Sequence, residues 1–254
     1  MKTALKLVLI YLGLQLVCAG LVSLVITLYV MMTHGDATQM VNLALAPSML
    51  LAMLCMFLYL WKAHYLPQDK ETWSFVSPTY LVFSLLMGWS TTILIDFFLS
   101  FFPKLPDLME AQFDVLQSGW VGILGIAVFG PVLEELLFRG GVTRVLLAKY
   151  SPAKAIFLSA LIFGVFHINP AQVVSAFLAG LLFAWIYYRT RSLVPCILIH
   201  ILNNSLAVAL NLRYPEADTI KEIVGPLPYY LIGGVAAVLF VVCYLKIKQY
   251  KYSR

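Results

Sequence analysis

The chain has 254 residues, of which 62% are apolar and only 11% are charged, and its mean hydropathy is +0.91. Soluble domains contain about 25% charged residues, so this composition excludes an ordinary soluble protein and predicts an integral membrane protein. The net charge of +5 does not require a nucleic-acid partner, because a cytoplasmic excess of lysine and arginine beside the lipid bilayer explains it.

Apolar runs recur along the chain at about the 20-residue length that one helix needs to cross a bilayer. The sequence therefore predicts an all-α membrane helix bundle of about eight transmembrane helices, which forms a single domain over 1–254. The first run continues to Met32, too long for a removable signal peptide, so we expect it to remain as an anchor. The predicted helices cover 7–32, 41–61, 79–102, 118–138, 155–168, 172–188, 193–212 and 228–245.

Asn169-Pro170 separates the fifth helix from the sixth. Proline cannot donate a backbone hydrogen bond, and it disfavours helical geometry in the residue before it. The sequence therefore predicts two helices here instead of one.

The distribution of basic residues predicts the orientation. With the N-terminus in the cytoplasm, only Lys104, Arg213 and Lys221 of the 17 lysines and arginines fall on the outer side. Loops on the cytoplasmic side of membrane proteins carry the excess of lysine and arginine. The pattern favours cytoplasmic N- and C-termini and a multi-pass protein, which we expect to lie in a bacterial cytoplasmic membrane.

The first polar cluster within an apolar run contains Glu134, Glu135 and Arg139. Glu135 and Arg139 are four residues apart on one helical face, which predicts an ion pair and leaves Glu134 without that partner. Adjacent carboxylates often divide their tasks, so that one is held charged while the other acts as a base. The alternative is a cytoplasmic helix end whose charged side chains reach out to water.

Two further clusters lie in later helices. Phe163 and Gly164 precede His167, and we expect Gly164 to allow a neighbouring helix to approach closely. His200 and Asn204 share one helical face, with Asn203 beside them. The alternative for each histidine and asparagine is a structural hydrogen bond between helices.

These groups permit two related kinds of chemistry. Glu134, His167 and His200 are a possible zinc set, because catalytic zinc takes three nitrogen or oxygen ligands and a water molecule. Without a metal, Glu134 and His167 activate water, while His200 and Asn204 donate to the oxyanion of a tetrahedral intermediate. Both interpretations describe a hydrolase that cleaves an amide bond.

The three clusters together resemble the motifs of the CPBP intramembrane proteases, which are also called the Abi or type II CAAX-endopeptidase-like group. The matching segments are EELLFRG at 134–140, FGVFH at 163–167 and HILNN at 200–204. The family pattern is Glu-Glu-x-x-x-Arg, Phe-x-x-x-His and His-x-x-x-Asn or Asp, and no motif position departs from it. The resemblance covers about 118–212, which we expect to be the catalytic core.

The resemblance implies an intramembrane endopeptidase in which Glu134 and His167 activate water, and His200 and Asn204 stabilise the oxyanion. It implies a membrane-embedded or lipidated peptide as substrate, with zinc as a possible cofactor. Eukaryotic members cleave prenylated C-terminal peptides, and bacterial members are linked to bacteriocin maturation or self-immunity. Four residues are supporting members of these motifs: Glu135, Arg139, Phe163 and Asn203.

Two other functions fit the same residues. A non-catalytic bacteriocin-immunity protein would use the polar clusters for packing and partner contact. A proton-coupled transporter would use the buried acids and histidines as a proton relay, although no inverted repeat supports it.

The predicted helices leave a mismatch in depth between the site residues. At ~1.5 Å per residue on straight vertical helices, Glu134 lies near the inner face, while His200 and His167 lie about 10 Å and about 20 Å above it. We expect helix tilt or a water-filled funnel from the cytoplasm to bring the three together.

Overall fold

The computed structural model describes residues 1–34, 40–66, 68–70, 72–217 and 219–249. The regular secondary structure of this part of the chain is entirely helical, as predicted, and contains no strand. Lys251 and Arg254, which the orientation prediction includes, lie outside it. The ten helices within the described ranges are α1 Lys2–Thr33, α2 Met40–Lys62, α3 Pro78–Leu99, α4 Glu110–Gln117, α5 Trp120–Leu147, α6 Pro152–Phe166, α7 Pro170–Thr190, α8 Val194–Arg213, α9 Ile220–Val224 and α10 Pro226–Lys248.

Seven of these helices are long and apolar enough to cross a membrane: α1, α2, α3, α5, α7, α8 and α10. The chain is therefore a multi-pass membrane protein. The prediction of eight full spans is wrong by one, because α6 is apolar but has only 15 residues. Such a helix rises about 22 Å, against a hydrocarbon core of about 30 Å.

The break between α6 and α7 falls where Pro170 predicts it. Pro170 occupies the first turn of α7, and Asn169 before it is extended, with ψ 114°. Asn169 is fully buried. Its Nδ2 donates to Asp107 Oδ1 at 2.9 Å, and its Oδ1 accepts from the backbone N–H of Leu108 at 3.0 Å. The α6–α7 turn is thus held to the segment that precedes α4.

The predicted end of the fourth helix at residue 138 is wrong, because α5 continues to Leu147. Arg139 and Gly140-Gly141 resemble a helix end in the sequence, but all three residues are buried. The helix continues through them with wider turns at 125–129 and 136–143, where backbone hydrogen bonds reach one residue further than in an α-helix. Glu134 is therefore near the middle of α5.

The α5–α6 hairpin removes most of the expected depth mismatch. Glu134 lies about 20 Å from the end of α5, and His167 lies about 22 Å from the start of α6, at ~1.5 Å per residue. Because the short 148–151 turn joins these two ends, both side chains reach the same depth without a large tilt. The Thr143 and Ser159 hydroxyls, 2.7 Å apart and buried, connect the two helices.

The start of α8 is covered by another segment of the protein. Leu193, just before α8, is fully buried, and its N–H donates to the carbonyl of Thr72 at 2.8 Å. The hydroxyl of Ser192 donates to the carbonyl of Ser74. Because residues 72–74 cover this end, α8 begins inside the protein.

Close packing of α6 against α7 depends on Gly164. A Cβ atom at Gly164 would lie 2.8 Å from the carbonyl oxygen of Val173 and 2.9 Å from Cβ of Phe177. Both distances are too short for ordinary van der Waals contact. The predicted close approach of a neighbouring helix at Gly164 is therefore confirmed.

Candidate active site

A fully buried ion pair lies at the centre of the site. Nη1 of Arg139 donates to Oε1 of Glu135 at 2.9 Å, and neither side chain is accessible. The predicted pair therefore forms, and the alternative in which Arg139 reaches out to water is wrong. Removing one partner of such a pair leaves an uncompensated buried charge, which costs about 3–5 kcal/mol.

Three aromatic rings enclose the Arg139 guanidinium. Its Cζ lies 4.5 Å from the ring centroid of Phe163, 4.9 Å from that of Phe183 and 5.9 Å from that of Phe138. Nη2 also approaches the carbonyl oxygen of Gly180 at 3.4 Å. Ring faces attract a desolvated cation, so the enclosure fixes Arg139 without exposing it to water. Phe183 and Gly180, both on α7, were not identified from the sequence.

His200 completes the network around Glu135. Its Nδ1 lies 2.8 Å from Oε1 of Glu135, the same oxygen that accepts from Arg139. Because a carboxylate paired with arginine is ionised and can only accept, the His200 Nδ1–H is the donor. The Nε2 atom of His200 therefore points away from this network.

His167 is oriented by the backbone of its own helix. Its Nδ1 lies 2.8 Å from the carbonyl oxygen of Phe163. A carbonyl only accepts, so Nδ1 carries the hydrogen and Nε2 of a neutral His167 presents a lone pair. The Phe163 ring is perpendicular to both imidazoles, with centroids 4.8 Å from that of His167 and 5.9 Å from that of His200.

Glu134 faces both histidines. Its Oε2 lies 3.8 Å from Nε2 of His200 and 4.0 Å from Nε2 of His167. These separations exceed hydrogen-bond distance, so the three atoms surround a common space. Glu134 Oε2 is buried and accepts no hydrogen bond within the described part of the chain, although 20% of the side chain is accessible. The structure thus brings together Glu134, His167 and His200 from three helices.

Asn204 lies one turn beyond His200 on α8, within a hydrogen-bonded chain. Its Nδ2 donates to the carbonyl oxygen of Ile126 at 3.0 Å, and its Oδ1 accepts from Nδ2 of Asn203 at 3.3 Å. The hydroxyl of Thr92 on α3 donates to Oδ1 of Asn203 at 2.8 Å. An amide group has two hydrogens, so one hydrogen of Asn204 Nδ2 is left for a ligand.

Thr92 and Ile126 were not identified from the sequence. The only signal for Thr92 is a pair of threonines in an apolar helix, and such hydroxyls usually bond within their own helix. Thr92 also does this, with the carbonyl of Gly88 at 3.2 Å. Nothing in the sequence indicates which side-chain oxygen it reaches on another helix.

The predicted zinc ligands are of suitable residue types, but they are not arranged as the ligands of a metal ion. A carboxylate oxygen and two imidazole nitrogens face one another, and each imidazole donates its other N–H to an acceptor, as metal-bound histidines usually do. Among the described residues, however, no group of three or more His, Cys, Asp or Glu side chains is arranged to hold a metal ion. We therefore derive no catalytic step through a metal.

A comparison with known protein families shows what this group of site residues is similar to. Residues 116–206 match the family model described as type II CAAX prenyl endopeptidase Rce1-like. This segment contains all three motifs, from Glu134 to Asn204, and therefore the three helices that converge. Residues 116–206, which are 91 of the 254 residues, are therefore similar to the CPBP/CAAX family. The family is one of peptidases, and its members lie in membranes.

One curated relative supports the similarity to membrane peptidases. The protein printed as "Putative membrane peptidase YdiL" of Bacillus subtilis (strain 168) is 30% identical to this chain over 104 residues. The alignment covers 41% of this chain and 43% of that protein, so it spans less than half of either. No solved structure matches the chain.

Proposed function

We propose that the protein is an intramembrane endopeptidase that hydrolyses a peptide bond with a water molecule activated by Glu134. One observation carries this proposal: Oε2 of Glu134 has no hydrogen-bond partner among the described residues and faces Nε2 of two histidines at 3.8 and 4.0 Å. A carboxylate in such surroundings can accept a proton from water placed beside it.

The neighbouring carboxylate, Glu135, already has hydrogen-bond donors. Glu135 accepts hydrogen bonds from Arg139 and His200 and is fully buried. Both bonds reach Oε1, and Oε2 accepts none from a described residue. The charge of Glu135 is nevertheless balanced by Arg139, and the side chain has no accessible surface for water, so Glu135 orients His200. Glu134 is therefore the carboxylate that we propose as the base.

The proposed reaction has four proton and bond movements. Glu134, with His167 beside it, takes a proton from water, and the hydroxide attacks the peptide carbonyl carbon. The oxyanion accepts hydrogen bonds from Asn204 and from His200 as an imidazolium, which the Glu135 carboxylate stabilises. The tetrahedral intermediate then breaks its C–N bond, and the proton held at Glu134 passes to the leaving amine.

The substrate that fits this location is a membrane-embedded or lipidated peptide, because two of the three motif helices, α5 and α8, can span a membrane and the third, α6, is a shorter apolar helix. A site at this depth meets chains that are already held in the bilayer. The family relationship supports a CAAX-like peptide, and we propose this substrate class for the protein. No observation favours the immunity or transporter alternatives.

The direct test compares cleavage of a fluorogenic membrane peptide by the purified protein and its variants. We expect Glu134→Gln and His167→Ala to lower turnover at least about 100-fold, the usual contribution of a general base. Glu110→Gln is the matched control, because Glu110 is at the start of α4, outside the spanning helices. Unchanged turnover in Glu134→Gln contradicts the proposal.

The zinc alternative is tested separately by metal analysis of the active protein. The proposed mechanism predicts turnover in protein that contains less than one equivalent of any transition metal, and no inhibition by a chelator. Stoichiometric zinc whose removal abolishes turnover would contradict the metal-free mechanism.

A further inference from the structure

A lateral groove lies between α3, α7 and α10, away from the motif residues. It encloses about 410 Å³ and is lined by one face of each helix, including Met87 and Phe98 of α3, Leu181 and Trp185 of α7, and Phe240 and Tyr244 of α10. Apart from the Thr91 and Tyr244 hydroxyls and the Trp185 indole N–H, the lining is apolar. Phe98 keeps 46% of its surface accessible, so the groove is open on one side.

The groove has the length of a lipid chain within one leaflet. The lining residues of α3 extend from Met87 to Phe98, which corresponds to about 16 Å of helix at ~1.5 Å per residue. Half of the hydrocarbon core of a bilayer is about 15 Å thick. An acyl chain therefore fits the groove along its length.

One end of the groove is aromatic. The rings of Trp185 and Tyr244 stack there, with centroids 5.1 Å apart and planes 26° apart. Tryptophan and tyrosine concentrate at the membrane–water interface, where the ring is apolar and its polar group faces the headgroups. This end is therefore at the level of the glycerol backbone of a lipid.

Two basic residues lie one helical turn beyond that aromatic pair. Arg189 follows Trp185 by four residues on α7, and Lys248 follows Tyr244 by four residues on α10, so each shares the helical face of its aromatic neighbour. The Lys248 Nζ lies 5.9 Å from the Tyr244 ring centroid. Nη2 of Arg189 donates to the backbone carbonyl of Lys248, which places the guanidinium beside the main chain of α10 at this residue.

We propose that this groove binds one anionic phospholipid, with an acyl chain between α3, α7 and α10 and its phosphate beside Arg189 and Lys248. The apolar wall would contact the acyl chain, the aromatic end would contact the glycerol backbone, and the basic pair would contact the headgroup. These three features follow one another along the groove in the same order as in a lipid. The proposal does not depend on the proposed peptidase activity, because no groove residue belongs to the motifs.

Trp185 provides the measurement, since bromine atoms on an acyl chain quench nearby tryptophan fluorescence. The full-length protein is reconstituted into phosphatidylcholine vesicles that contain increasing fractions of dibrominated phosphatidylglycerol or dibrominated phosphatidylcholine. The Trp185 contribution is the difference between the protein and its Trp185→Phe variant. We expect brominated phosphatidylglycerol to reach half-maximal quenching at a mole fraction at least about fivefold lower, as one basic contact near the surface predicts.

Lys248→Gln is the decisive variant, because it removes one charge but keeps the backbone carbonyl that Arg189 uses. We expect it to lose most of the preference for phosphatidylglycerol. Lys246→Gln is the matched control: it carries the same charge change on the same exposed part of α10, two residues away and therefore on another face. Equal quenching by the two lipids, or an equal loss in Lys246→Gln, would overturn the proposal.

Discussion

Glu134 and Glu135 are neighbours in the sequence but meet different surroundings. Oε1 of Glu135 accepts from Arg139 and His200 inside a closed network, whereas Glu134 Oε2 faces two imidazoles without a hydrogen bond from any described residue. This difference follows from helix geometry, because adjacent residues point about 100° apart. The four-residue spacing of Glu135 and Arg139 was sufficient to predict the ion pair from the sequence.

Thr92 tests whether the hydrogen-bonded chain to Asn204 matters for catalysis. Thr92→Val removes the hydroxyl that holds Oδ1 of Asn203 but preserves the side-chain shape. We expect turnover of a membrane peptide to fall on the order of 10-fold, with little change in thermal stability, because the oxyanion donor is displaced. Ser90→Ala is the control, since the Ser90 hydroxyl bonds only within α3, to the carbonyl of Leu86. Equal turnover in Thr92→Val and the unmodified protein contradicts the positioning role.

At the scale of elements, the sequence predicted the helix starts that proline marks but not the end of α5. Pro78, Pro152, Pro170 and Pro226 each occupy the first turn of a helix, where proline is favoured, and the predicted boundaries fall within three residues of them. The predicted end of α5 was wrong because Arg139, Gly140 and Gly141 are typical of a helix end at the membrane surface, whereas here they are buried. Arg139 is covered by Phe163 and Phe183, which come from other helices, so the local sequence does not indicate its burial.

Gly164 is the position at which helix packing is most easily tested. Gly164→Ala places a methyl group 2.8 Å from a backbone oxygen of α7, which forces α6 and α7 apart. Overpacking of this kind costs about 1–3 kcal/mol, so we expect the melting temperature in detergent to fall by several degrees. Gly20→Ala in α1 is the matched control, because nothing lies within 4 Å of the added Cβ. A fall of the same size in both variants would contradict the close approach.

At the scale of the whole molecule, the convergence of three motifs results from one hairpin and one covered helix start. The α5–α6 hairpin places Glu134 and His167 at equal distances from their shared turn, and residues 72–74 cover the start of α8. The motif residues themselves indicate neither feature. Straight vertical helices therefore predicted that the site residues differ in depth by about 20 Å. A cavity that opens to the cytoplasm and cytoplasmic chain ends stay predictions.

The orientation is tested by reporter fusions in a bacterial host. Alkaline phosphatase is active only outside the cytoplasm, so we expect activity when it is fused after Lys104 and none when it is fused after Lys149. Green fluorescent protein fused at the same two positions should give the opposite pattern. Phosphatase activity after Lys149 would contradict the predicted orientation and place the α5–α6 turn outside.

The central claim, that Glu134 reacts while Glu135 holds the site together, is tested most directly by one paired measurement on Glu134→Gln and Glu135→Gln. Turnover and melting temperature are determined for both variants in the same detergent. We expect Glu134→Gln to lose turnover while its melting temperature stays the same or rises, because the change removes a buried charge that lacks a partner. Glu135→Gln leaves Arg139 uncompensated, so its melting temperature should fall on the order of 10 °C. An active Glu134→Gln variant, or one that is as destabilised as Glu135→Gln, would contradict the claim.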